Sequence, residues 1–378
     1  MAAALAVVVA ACGGGGSSDE VTGISAGTGE TASTAATAAK KAAGSPTELP
    51  QVTVGVVDVL ASSEASQRLE VGLKDASKVL GWKLLSCDAQ GEPAGMQRCA
   101  ETLLNQEVEV LFLLATEPTP VHNALVKAKS KGVPVIGFGG QTTNSPLLAG
   151  LYYPNEHEAG EIAGEYIVEQ LESLKPDERS MIVHSIAAIW GEERTAGMLE
   201  KVEPAGIKIA AKYQTDLANV EAGTLKATTD ELTANPEVKA IYDSFDAAGR
   251  STAQAVAQKF PGKKFPERPL VVTFHADLTT LEMMREGKID AVVDVPYDAT
   301  AWIAADQAAQ FLARETPPSK EPEPKYPLPF LKQELFTAED EFPPEGQYRE
   351  PQNDFVTFFT TKWQQEFTNI PKSGGAGE

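Results

Sequence analysis

Histidine and cysteine are scarce in this chain: four and three, respectively, in 378 residues. Cys12, Cys87 and Cys99 are too few and too scattered for a zinc site of known spacing, and no metal is expected. Basic residues are in deficit, 32 against 53 acidic ones, for a formal net charge of −21. Nucleic acid needs a basic face on its protein, so that class of partner is excluded. The charge fits the solubility of an exported protein better than it fits a cationic ligand. No GxxxxGK[ST] loop and no GxGxxG turn is present, which removes the nucleotide readings that depend on backbone amides around phosphate. No cofactor is expected, and without a catalytic constellation the chain is not expected to be an enzyme. The apolar stretch 2–11 is too short to span a bilayer.

What is present is a globular composition. Hydrophobic residues make up 42% of the chain, enough for a core, and the length suits two domains. Residues 52–57 form an apolar run of strand length. Leu69, Leu73, Ala76 and Leu80 then share one helical face, and Gly81 ends the helix. The pattern repeats: strands are predicted at 82–85, 108–114 and 133–137, with helices at 94–104 and 121–131 between them. Strand alternating with helix predicts right-handed βαβ units and a parallel, doubly wound sheet. A strand at 147–152 and a long helix at 156–174 precede a second round. That round has strands at 181–184, 207–211, 238–242, 270–274 and 289–293, and helices at 192–202, 220–233, 247–260, 278–286 and 299–314. The tail from Thr316 is proline-rich and acidic, with a short element expected at 355–367.

Both ends carry further signals. Val9-Ala10-Ala11-Cys12 resembles the lipobox of bacterial lipoproteins. The resemblance implies a signal peptide over 1–12, cleavage before Cys12, and lipid on its thiol. Residues 13–48 are rich in Gly, Ser and Ala and predict a flexible tether. Cys87 and Cys99, at a strand end and in the next helix, are expected to form a disulfide, which an exported protein permits.

Several stretches in order carry a wider resemblance, over 52 to about 336. They are Leu80-Gly81-Trp82, the run 131–136 (Lys-Gly-Val-Pro-Val-Ile), and Asn155 with Ala159-Gly160, Ala163-Gly164 and Tyr166. Asn235-Pro236-Glu237-Val238, Arg285-Glu286-Gly287-Lys288-Ile289 and Lys325-Tyr326-Pro327 follow. In these the chain resembles the type I periplasmic binding proteins, the ribose- and galactose-binding group. The resemblance implies two Rossmann-like lobes joined by three crossover strands, near Tyr153, near 294–297 and near Thr316. It places residues 49–153 and 295–316 in the first lobe, 154–294 and 317–370 in the second, and 371–378 in a disordered tail. Ligand would lie between the lobes, at the carboxyl ends of the strands, where open α/β sheets also bind on physical grounds. Implied partners are a small carbohydrate-like molecule, an ABC permease and, through lipid, the membrane; the chain itself is expected to be a monomer. A receptor that signals to a membrane sensor is the alternative.

Seven residues are candidate ligand contacts. Arg194 matches the family's arginine after the first strand of the second lobe; its guanidinium suits a polyol, and a surface ion pair with Glu192 or Glu193 is the other reading. Trp190 supplies a flat wall for a sugar face, or is core. Asp246, with Phe245 in place of the family's amide, either contacts ligand or caps the next helix. Asp294 ends the last strand, and His275 stands where the family has aspartate. Asp58 ends the first strand. The family's pentose contacts are largely replaced, by Phe138-Gly139-Gly140, Ala115 and Ser62-Ser63-Glu64.

Overall fold

A computed structural model describes residues 45–349 and 354–372. The expected signal peptide, Cys12 and residues 13–44 of the expected tether lie outside the described residues. The tether's last residues, 45–48, belong instead to the folded body, where the Thr47 amide donates to the Glu366 carbonyl at 2.9 Å and its carbonyl accepts from the Thr368 amide at 2.8 Å. None of the described helices is long and apolar enough to cross a membrane.

The first sheet has five parallel strands in the order β2-β1-β3-β4-β5. They are β1 (Thr53–Asp58), β2 (Lys83–Asp88), β3 (Val110–Leu114), β4 (Val135–Phe138) and β5 (Gly150–Tyr152). β1 and β3 are almost wholly buried, as strands covered on both faces must be. Between the strands run α1 (Glu64–Leu80), α2 (Pro93–Asn105) and α3 (His122–Lys131). Ser63 caps α1 by accepting from the Ser66 amide, and Gly81 ends it in the left-handed region at φ 75°. A disulfide joins Cys87 of β2 to Cys99 of α2, with Cα atoms 5.5 Å apart.

The second sheet has six strands in the order β11-β10-β9-β8-β6-β7. β6 (Ser180–Ile186), β7 (Lys208–Thr215), β8 (Ala240–Asp243), β9 (Leu270–Phe274) and β10 (Ala291–Asp294) are parallel; β11 (Glu334–Thr337) is antiparallel to β10. α4 (Glu156–Glu172) and α5 (Ile189–Val202) cover one face, and α6 (Val220–Ala234), α7 (Asp246–Lys259) and α8 (Leu278–Arg285) the other. α4 and α5 cross closely through glycines. A Cβ on Gly160 would overlap the Arg194 carbonyl, and one on Gly197 the His157 carbonyl. This contact sets where α5 carries Arg194.

The chain crosses between lobes after β5 and after β10, as the resemblance implies. The next helix, α9 (Tyr297–Arg314), returns to the first lobe and lies against α1. The assignment of 317–370 to the second lobe needs correction. Residues 317–331 stay on the first lobe: Tyr152 donates to the Ser319 carbonyl at 3.0 Å, and Phe330 joins its core. Only β11 enters the second sheet. The chain then crosses a fourth time, and α10 (Phe355–Glu366) docks on α9. The reason is aromatic burial. Trp363 stacks on Trp302 at 5.3 Å between centroids, and Phe355, Phe358 and Phe359 are buried beside Tyr326 and Phe330. Asp306 of α9 accepts from Trp363 Nε1 at 2.8 Å and pairs with Lys362 at 2.6 Å. Because α10 completes this core, Trp363→Ala is expected to lower the unfolding free energy by about 3–5 kcal/mol. Urea denaturation measures it; a loss under about 1 kcal/mol would show the helix to be an appendage.

Candidate functional site

The carboxyl ends of both sheets face each other, and the described residues form a closed seam there. Trp190 of the second lobe fills space against Gly140 of the first, where an added Cβ would come within 2.9 Å of the indole. Arg68 of α1 reaches Asp294 at 3.4 Å. Glu64, also on α1, accepts from the Thr279 amide of α8 at 3.1 Å and from its hydroxyl.

Four of the seven candidates converge. Arg194 is buried, and its Nε donates to Glu156 at 2.7 Å. The Nη1 group reaches the Ser244 carbonyl at 3.0 Å and His275 Nε2 at 3.3 Å, while Nη2 donates to the Tyr297 hydroxyl. The guanidinium lies 5.1 Å from the Trp190 ring and 4.6 Å from Phe274. Phe245 lies 5.1 Å from Trp190 and 6.4 Å from His275. Neither acid foreseen as an ion-pair partner is used; α5 starts at Ile189, three residues earlier than predicted, and its close crossing with α4 at Gly160 brings Arg194 to Glu156. Trp190 and Arg194 thus sit four apart on one face. The two readings of Trp190 merge, because it is buried and faces the seam.

Asp294 belongs to a neighbouring group. Its Oδ1 accepts from the Ala276 amide at 3.0 Å and faces Arg68, and its Oδ2 faces Arg349 at 3.3 Å. Asp246 is the first residue of α7 and not its cap; Arg250 holds its Oδ2. Asp58 makes its own turn, accepting from the Leu60 amide at 2.9 Å, and shares no hydrogen bond with the Arg194 group among the described residues. Burial, which disfavours its charged form, pushes Asp58 up to about 7.

Sequence reasoning missed Glu64, Arg68, Glu156, Arg250, Asp277 and Tyr297. A signal existed for some: Glu64 and Arg68, like Asp246 and Arg250, stand four apart in the first turns of helices that follow strand ends. Asp277 is fully buried, and neither of its oxygens has a hydrogen-bond partner. Asp58 Oδ2, Asp246 Oδ1, Arg68 Nε, Trp190 Nε1 and His275 Nδ1 are also buried and unpartnered. Such groups are rare in protein interiors, and each needs an explanation.

Two buried histidines differ in charge. Burial and the guanidinium groups of Arg194, Arg68 and Arg250 hold His275 well below the usual value, so it is neutral. It accepts at Nε2 from Arg194, which places its proton on Nδ1. His184 also suffers from burial, but Asp243 at 2.9 Å and Glu231 at 2.8 Å push it up to about 9.

The comparisons with known proteins fit this geometry. Residues 54–316 match the model of the periplasmic binding protein domain. The ribose import binding protein RbsB of Escherichia coli is 26% identical over 221 residues, which are 58% of this chain and 71% of that protein. Among solved structures, a galactofuranose binding protein is 19% identical, with a TM-score of 0.65 over 76% of this chain and 95% of its own. The myo-inositol binding protein of Caulobacter, bound to myo-inositol, is 17% identical, with a TM-score of 0.65 over 76% and 93%.

Two predictions follow from the buried charges. Arg194→Ala leaves Glu156 buried without its partner and is expected to cost about 3–5 kcal/mol of stability. Adding Glu156→Gln should recover much of it, and a double-mutant cycle by chemical denaturation reads the coupling. Because the folded-state value of His184 is raised above the unfolded one, its contribution is full below about pH 6.5 and lost as pH rises through about 9. Stability measured across that window should fall in the parent chain, and His184→Gln should flatten the fall. The match of the family model over most of the chain, with the two-lobed fold and the seam between its sheets, shows that this chain belongs to the periplasmic binding protein family.

Proposed function

We propose that the chain is the sugar-binding component of a bacterial ABC importer, held outside the cytoplasm by lipid on Cys12. The observation that carries the ligand reading is the seam. Buried donors and acceptors from both lobes converge at the strand ends without partners, beside the flat ring of Trp190. A polyol suits such a lining, since each hydroxyl both donates and accepts and a ring face stacks on an aromatic wall. RbsB is by its name a ribose binder, and the structural neighbours are described with galactofuranose and myo-inositol; all three are polyols. Binding would proceed by hinge closure, with ligand bridging the lobes and favouring the closed form. The permease would then recognise the closed form. The segment between Cys12 and Ser45 would supply reach from the membrane to the folded body, and Cys12 would supply the anchor.

Thermal unfolding with ribose, galactose, arabinose and myo-inositol tests the ligand class. A true ligand at a hundred times its Kd stabilises by about 2.7 kcal/mol, which raises the melting temperature measurably. No shift with any sugar or cyclitol at millimolar concentration would sink the reading. Mass spectrometry of the mature N-terminus, after expression in a bacterial host, tests the anchor: a chain that begins at Met1 with an unmodified Cys12 contradicts it.

A further inference from the structure

The seam is acidic in a way that a neutral sugar does not satisfy. Its acids are largely accounted for by partners: Arg250 holds Asp246, Arg68 bridges Asp294 and Asp298, and Glu64 is taken up by Thr279. Asp277 is different. It has no ion pair among the described residues, both oxygens lack hydrogen-bond partners, and it is fully buried. Its place is fixed by its neighbours in sequence. The amide of Ala276 donates to Asp294 at 3.0 Å, and that of Thr279 donates to Glu64 of the opposite lobe at 3.1 Å. Asp277 therefore stands between β10 of its own lobe and α1 of the other. Burial and then Asp246, whose Oδ1 is likewise unpartnered, push Asp277 well above the usual carboxylate range, while the guanidinium groups of Arg68 and Arg250 act the other way without a hydrogen bond to it.

Three acceptor oxygens from two carboxylates call for donors and positive charge. A hydroxyl brings one donor and adds acceptor lone pairs; an ammonium brings three donors, no acceptor and a full charge. Burying a carboxylate without a cation is the costly case, and a bound cation removes that cost. The unpartnered donors at the seam, His275 Nδ1, Trp190 Nε1 and Arg68 Nε, remain for oxygens of the same molecule. We propose that the seam takes an aminated polyol, an amino sugar or aminocyclitol, whose protonated amine sits on Asp277 and Asp246 while its hydroxyls meet the donors. The proposal rests on the sugar-clamp reading and narrows it.

Calorimetry on the full chain with matched pairs tests the assignment: glucosamine against glucose, galactosamine against galactose, and mannosamine against mannose. The solution is held at about pH 6, below the ordinary pKa of an amine. At least one amine is expected to bind about tenfold or more tightly than its hydroxyl parent, the scale of one charge-assisted hydrogen bond. Asp277→Asn removes the charge at nearly constant shape, so the fold should persist, as its melting curve will show; the ratio of amine to parent affinity should drop to within about threefold. Asp246→Asn is the second variant and should reduce the preference in the same direction. Parent hexoses that bind as tightly as the amines overturn the proposal and leave the sugar clamp standing. An amine preference that survives in Asp277→Asn overturns the assignment to that residue. If no member of any pair binds, the amine proposal falls, and the clamp is judged on the neutral panel alone.

Discussion

The ion pair between Arg194 and Glu156 is the contact on which the arrangement of the second lobe depends. Glu156 is the first residue of α4, just past the first crossing; Tyr297, which also meets the guanidinium, is the first residue of α9, just past the second. The same group holds the Ser244 carbonyl beyond β8 and His275 beyond β9. One side chain thereby ties two crossings to two strand ends. A buried charge pair of this kind adds little to stability beyond what apolar residues could give, yet losing one member is costly. Its value here is geometric, because the hydrogen bonds have fixed directions and the lobe must satisfy all of them together.

Closure across the seam uses different groups. Arg68 and Glu64 are carried by α1, and their partners Asp294 and Thr279 belong to the opposite lobe. Such contacts exist only while the lobes meet, and their worth grows as water leaves. The fourth crossing adds to this. Tyr348 lies over the Arg68 guanidinium at 5.3 Å, and Arg349 faces Asp294 and Glu334. The C-terminal segment thus touches the ion pair that joins the lobes, and it lies beyond residue 316, where the family match ends.

Most of the α/β alternation was legible in the sequence because both sheets are parallel and covered on both faces. Their strands read as apolar runs, and their helices keep a three-to-four period. Glycine marked the ends of α1 and α3, where a left-handed residue was needed. The C-terminal segment resisted for a physical reason: β11 is short and half-exposed, with no periodic signal, and the lobe on which α10 docks is decided by Trp302 and Asp306, 61 and 57 residues before Trp363 in sequence. At the site, residues that end strands were found, since position alone marks them. Their partners Glu156, Arg68 and Tyr297 were not, because nothing local in the sequence links an acid at the start of α4 to an arginine on α5.

The same contrast explains why ligand identity is harder to read than the fold. A two-lobed clamp needs only apolar strands, amphipathic helices and a few glycines, and many side chains can line the seam without disturbing them. Here Ala115, Gly139 and Gly140 bring neither bulk nor charge to their part of the first lobe's side of the seam, and Trp190 occupies the space against Gly140. The polar chemistry lies on the second lobe in Asp246, His275, Asp277 and Asp294, and on β1 and α1 of the first in Asp58, Glu64 and Arg68. A ligand would meet an apolar patch around Trp190 and Gly140 and a charged wall elsewhere. Orientation would then come from the charged wall, because misplaced polar groups there would leave buried carboxylates and guanidinium groups unpaired, while the apolar patch tolerates variation.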